Sequence, residues 1–162
     1  MLFWLNVLAR RGESVEQIVR AHWREFGRNY YTRHDYEEIP TDAAKEVMSR
    51  VQGQLPDLSG TTVGERRVRT ADDFAYHDPV DASVSEHQGL RILFEDGARI
   101  VYRLSGTGTT GATLRLYIES YETDAAHQDK DAQVALALLI QAALELSDLT
   151  AITGRASPTV IT

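Results

Sequence analysis

The feature that most restricts the fold is a run of strand-forming segments between residues 90 and 121, punctuated by two turn-like breaks. Leu90 to Glu95 and Ala98 to Leu104 flank Asp96-Gly97, the strongest short-range signal for a β-hairpin, since both central residues of such a turn take positive φ. Thr113 to Tyr121 then alternates Leu114, Leu116 and Ile118 with Arg115, Tyr117 and Glu119, the period-two pattern of a half-buried strand. A meander of this kind predicts an antiparallel sheet with one face in a core.

Helical periodicity appears on either side of the meander. Ser14 followed by Gln17 has the spacing of a capping box, and Val15, Ile18, Val19, His22, Trp23 and Phe26 recur at helical period before Gly27. Asn29 to Ile39 reads as a strand weakened by Asp35, Glu37 and Glu38, and Pro40-Thr41-Asp42 starts a helix over Ala43 to Val51. Gln52 to Gly64 reads as a loop, Glu65–Thr70 and Asp73–His77 as short strands, and Asp78-Pro79-Val80-Asp81 as a turn. Asp131 to Leu149 carries Val134, Leu138, Ala142 and Leu146 on one face, predicting one long amphipathic helix on the sheet. The expected class is α+β: an antiparallel sheet with helices packed on one face.

With 162 residues, 43% of them hydrophobic, the chain can bury one core. A net charge of −7 repels nucleic acid and anionic lipid surfaces, so neither nucleic acid nor membrane is an expected partner and any anion site must be local. The absence of cysteine removes disulfides and thiolate metal clusters, and a cytoplasmic location is the expectation. The opening run Met1 to Ala9 is apolar nearly all round if helical, either a helix cut from a larger core or an ordinary N-terminal helix packing on this same domain. Its arginines, Arg10 and Arg11, follow the run, whereas a signal peptide carries its charges before it.

Chemistry concentrates in Arg103-Leu104-Ser105-Gly106-Thr107-Gly108-Thr109-Thr110-Gly111-Ala112-Thr113-Leu114-Arg115. If Leu104 lies opposite Leu114, Arg103 faces Arg115, and two neighbouring guanidinium groups are tolerable when an anion sits between them. Glycines let the backbone N–H groups approach an anion, and Ser105, Thr107, Thr109 and Thr110 supply hydroxyl donors. The competing reading is a glycine-rich turn whose arginines pair with surface carboxylates. A nucleotide P-loop is excluded because no Gly-Lys-Ser/Thr follows, and the Gly-x-Gly-x-x-Gly spacing of 106–111 leads into a strand rather than a helix. His22, His34, His77, His87 and His127 lack metal-site spacing. Asp81, Ser83 and Ser85 read as turn chemistry, and Asp35, Glu37, Glu38 and Asp72-Asp73 as solvated faces.

Arg103-Leu104-Ser105-Gly106-Thr107-Gly108 with Ala112-Thr113-Leu114-Arg115-Leu116-Tyr117 resembles the phosphate-binding loop of the phosphoglucomutases, in the α-D-phosphohexomutase superfamily. Gly27 to Glu37, Asp78-Pro79-Val80-Asp81, Gln88-Gly89-Leu90-Arg91 and the ending Pro158 to Thr162 extend the resemblance over essentially the whole chain. It implies a TATA-binding-protein-like C-terminal domain over residues 23–162, with residues 1–22 the tail of a preceding domain and a connecting helix. In such an enzyme of four domains, glucose 1-phosphate and glucose 6-phosphate interconvert through the bisphosphate, and this domain holds the phosphate that is not transferred. Carried over, Arg103, Ser105, Gly106, Thr107 and Arg115 are the phosphate contacts, with Gly108 shaping the loop. The family's phosphoserine segment, its magnesium loop and its sugar-recognition loop do not occur in this sequence. The resemblance therefore implies no mutase activity for this chain alone, no cofactor within it, and the remaining domains and phosphosugars, glucose 1,6-bisphosphate included, as partners. The rival is a stand-alone interaction or anion-binding module that exposes Phe3 and Trp4 as a contact patch.

Overall fold

In the computed structural model, which describes residues 2–108 and 111–162, the apolar N-terminal run forms α1 (Leu2–Arg11), with no buried residue. Helix α2 (Val15–Phe26) starts at the expected capping box: the Ser14 hydroxyl accepts from Gln17 N–H at 3.2 Å while the Gln17 side chain accepts from Ser14 N–H at 2.8 Å. Gly27, at φ 80°, ends it by donating its N–H to Trp23 O. The Arg28 guanidinium then stacks on Trp23 and Tyr30, tying the helix to β1 (Arg28–Ile39).

Helix α3 (Thr41–Leu58) runs well past Val51, through residues whose composition reads as a loop. Ala44, Val47, Val51, Leu55 and Leu58 keep one stripe buried to the end of the helix. Burying Val51, Leu55 and Leu58 contributes about 1.5–3 kcal/mol each. That outweighs the helix penalties of about 1 kcal/mol for Gly53 and about 3 kcal/mol for Pro56.

The strands β2 (Thr62–Val63), β3 (Arg66–Asp73), β6 (Leu90–Phe94), β7 (Arg99–Gly108), β8 (Gly111–Glu122) and β9 (Val160–Ile161) join β1 in a seven-stranded sheet among the described residues. Its order is β2-β3-β6-β7-β8-β1-β9, and every strand pairing given is antiparallel. A separate ribbon, β4 (Tyr76–His77) with β5 (Val84–Ser85), surrounds the expected turn, where Asp78 Oδ1 accepts from Val80 and Asp81 N–H. At the β6–β7 turn only Gly97 takes positive φ. Gly97 N–H donates to Phe94 O and Phe94 N–H to Ala98 O, a three-residue hairpin loop rather than the two-residue turn expected.

The sequence expects one helix over 131–149; the chain instead forms α4 (Ala132–Ala135), α5 (Ala137–Ser147) and α6 (Leu149–Thr153), broken at Leu136 and at left-handed Asp148. The inward stripe differs too. Val134 and Leu138 are exposed, whereas Leu136, Leu139 and Ala143 are buried. The Tyr102 hydroxyl, itself buried, donates to Ala143 O at 2.7 Å and fixes which side of α5 meets the sheet. The core lies between α3, α5 and one sheet face, where Val47, Val51, Leu139 and Ala143 join Ile92, Phe94, Ile100, Tyr102, Leu114, Leu116 and Ile118. Helices on one face of an antiparallel sheet agree with the α+β expectation, and the opposite face is left open to carry polar side chains.

Candidate anion-binding site

The open face is a ladder of cross-strand rows set by strand register. One row runs Arg99, Glu119, Tyr31; the next Arg91, Val101, Tyr117, Arg33; the third Arg103, Arg115, Asp35. Leu104 pairs with Leu114 and Arg103 with Arg115, the register expected from the sequence, because leucines at those positions leave both arginines on the solvent side of the pleat. Ser105, half-buried, pairs with Thr113 one step nearer the loop, Gly106 turns at φ 65°, and Gly108 pairs with Gly111. The side chain of Thr107 and residues Thr109 and Thr110 lie outside the described residues.

The face carries Arg33, Arg91, Arg99, Arg103 and Arg115 against Asp35, Asp72 and Glu119. Arg91 grips Asp72 bidentately at 2.7 and 2.8 Å and stacks on Phe74; this hydrogen bonding holds the Asp72 carboxyl below the usual carboxylate range. Arg99 pairs with Glu119. Arg33 and Arg115 share Asp35, and among the described residues Arg103 has no carboxylate within ion-pair distance. The alternative in which both loop arginines pair with surface carboxylates therefore does not hold for Arg103, and the partner of Arg115 is a buried group.

Asp35 is a correction to the sequence reading, which put it on a solvated face: it is only 3% exposed. Strand β9 runs beside it at the sheet edge, with Val160 opposite Asp35 in register and Thr159 N–H donating to Asp35 O. Gly89 is a second residue whose role was not anticipated. It has φ 151°, and a Cβ placed there meets Arg103 Cγ at 2.9 Å, so the arginine stem rests on bare backbone. His87 stands beside it with Nδ1 2.7 Å from Asp73 Oδ2, a contact that raises the His87 pKa. The signal available in the sequence is the Gln88-Gly89 pair, part of the segment that resembles the family. A groove of about 910 Å³, lined by Tyr31, Arg33, Phe74, Arg91, Arg99 and Arg103, among others, opens beside the arginine pair.

Of the other histidines, buried His34 meets the Gln133 side chain at 2.9 Å, a packing role. Among the described residues no three His, Asp or Glu side chains converge as a metal site. No helix among them is long and apolar enough to cross a membrane.

Comparison with known proteins bears on this arrangement. Residues 28–159 match the family model for the phosphoglucomutase-1 C-terminal domain. Over its full length the chain is 57% identical to a phosphoglucomutase of Rhizobium radiobacter and 51% identical to phosphoglucomutase-1 of Oryctolagus cuniculus, and it spans 30% of each of those proteins. The crystal structure of the Paramecium exocytosis-sensitive phosphoprotein pp63/parafusin, a phosphoglucomutase in its open form, superposes with a TM-score of 0.87 at 42% identity, covering 98% of this chain and 28% of that one. These matches favour a domain of a larger enzyme over a free-standing interaction module. The chain belongs to the phosphoglucomutase family, as its C-terminal domain.

Proposed function

We propose that this domain anchors the phosphate that is not being transferred when an intact enzyme interconverts glucose 1-phosphate and glucose 6-phosphate. Arg103 and Arg115 grip the phosphate oxygens, Ser105 and Thr107 donate hydroxyl hydrogen bonds, and Gly106 and Gly108 let the loop backbone close on the anion. The observation that carries the reading is the facing pair Arg103 and Arg115 at the mouth of the loop, with Arg103 lacking a carboxylate partner among the described residues. Binding energy from a remote phosphate positions the reacting end of the sugar. The phosphoserine and the magnesium that offsets charge on the transferring phosphoryl group belong to the preceding domains. Residues 1–22 are the tail of the preceding domain and a connecting helix, which accounts for an α1 that buries nothing. The enzyme is cytoplasmic, as several relatives' names state of those proteins.

An NMR titration of the labelled chain with glucose 6-phosphate tests the reading, with inorganic phosphate and glucose as controls. Both phosphates should shift resonances over residues 103–115 with a Kd of about millimolar, near 4 kcal/mol, and glucose should not. Arg103→Ala and Arg115→Ala should each weaken binding by about 1.5–3 kcal/mol, the strength of a charged hydrogen bond. Unchanged affinity in both variants would remove the proposed site.

A further inference from the structure

We propose that Asp35 is a positioning residue: a buried carboxylate that holds Arg115 and Arg33 by their Nε edges and so presents the remaining edge of Arg115 to an anion beside Arg103. The inference rests on the phosphate reading above for what the arrangement is for, and on geometry alone for the clamp.

Asp35, Arg115 and Arg103 stand in one row across β1, β8 and β7, each directly opposite the next. Asp35 Oδ1 lies 2.9 Å from Arg33 Nε, and Oδ2 lies 3.6 Å from Arg115 Nε. The carboxylate is buried while both guanidinium groups stay partly exposed, so the anchor is inside and the working ends are outside. Neither Nε–H lies along a formed hydrogen bond, although Asp35 Oδ1 and both Nε atoms are out of contact with solvent. The attraction is therefore ionic in this state. Buried polar groups ordinarily find hydrogen-bond partners, and catalytic and binding contacts commonly tighten only when ligand arrives.

The division of labour follows from the shape of arginine. A guanidinium group offers its donors in a planar fork, and fixing the Nε edge sets the direction of the plane, leaving Nη groups for phosphate oxygens. Arg33 serves as the counterweight. One carboxylate between two arginines leaves the cluster with net positive charge, so the clamp does not cancel the attraction for an anion. Strand β9 borders the arrangement at the edge of the sheet, with Val160 opposite Asp35 in register.

The test is ¹⁵N NMR of arginine side chains in the whole chain, read with and without inorganic phosphate. In the unmodified protein the Nε–H groups of Arg33 and Arg115 should exchange slowly with water and be as ordered as the backbone, while that of Arg103 exchanges fast and serves as the internal control. Equal exchange rates for Arg115 and Arg103 overturn the clamp without any variant being made. Asp35→Asn keeps the shape and removes the charge. It should release the Arg115 Nε–H to fast exchange and weaken phosphate binding about tenfold, with backbone shifts retained outside the row. An Asn variant that keeps Arg115 ordered and binds phosphate as before refutes the proposal. If the unmodified chain binds no phosphate yet Arg115 is held, the phosphate-anchoring reading fails and the clamp itself stands.

Discussion

Gly89→Ala isolates the support of Arg103 from its charge. Gly89 sits at φ 151°, a region open essentially to glycine alone, and forcing an L-residue there costs about 1–3 kcal/mol. The new methyl carbon lands 2.9 Å from Arg103 Cγ and 3.1 Å from both Tyr102 O and Val101 Cγ1. Overpacking of this kind costs about 1–3 kcal/mol. Arg103 Cγ belongs to a flexible side chain and yields, whereas Tyr102 O is backbone in the middle of the sheet and does not. Restricting the unfolded chain returns about 0.4–1 kcal/mol. The net expectation is a loss of about 1–5 kcal/mol, centred on about 3 kcal/mol, against a domain stability of about 5–15 kcal/mol, so the variant should stay folded. The relief comes from Arg103 swinging off the wall, so phosphate affinity should fall with it. Urea denaturation gives the first quantity from the shift in midpoint at constant slope, and phosphate titration of the folded variant gives the second. A variant within about 0.5 kcal/mol of the parent, the range of ordinary surface changes, and with unaltered affinity shows that the arginine stem does not depend on this wall.

Other perturbations read other parts of the structure. Ser14→Ala removes the capping-box acceptor and should cost about 1 kcal/mol, with faster amide exchange at Gln17; unchanged exchange there refutes the cap's role. Tyr102→Phe deletes the donor to Ala143 O, but Ser147 Oγ also donates to that carbonyl at 2.8 Å, so the loss should stay near 1 kcal/mol. A loss above about 3 kcal/mol, the upper end for a stranded buried group, shows instead that the carbonyl is left unsatisfied. His87, whose pKa Asp73 raises, adds stability at pH below its unfolded value, and that contribution disappears as pH rises through the raised folded value. Asp72 acts in the opposite sense. Its lowered pKa makes a contribution present above the unfolded value and lost on acidification through the folded one. NMR pH titration of the two side chains checks both directions, and a His87 midpoint at or below the free-imidazole value contradicts the Asp73 contact.

Residue order alone determined the elements whose signals are local. The capping box at Ser14 and the stop at Gly27 set α2, and the alternation around Leu114 and Leu116 set β8 and placed Arg115 on the outer face. The arginine pair was legible because a hairpin with Leu104 opposite Leu114 leaves no other partner for Arg103 in register. Where two local readings competed, the tertiary structure decided. Gly53 and Pro56 disfavour a helix over a few residues, and only the burial of Leu55 and Leu58 against a core built from distant strands reverses that preference. The stripe of α5 depended on Tyr102, forty-one positions away from Ala143 in sequence. Asp35 lies in a charged, tyrosine-rich strand that suggests solvent, yet the fold buries it between two arginines, next to an edge strand that arrives from residues 160–161. Periodicity reports what a residue's own strand does; burial and pairing depend on what the rest of the chain lays on top of it.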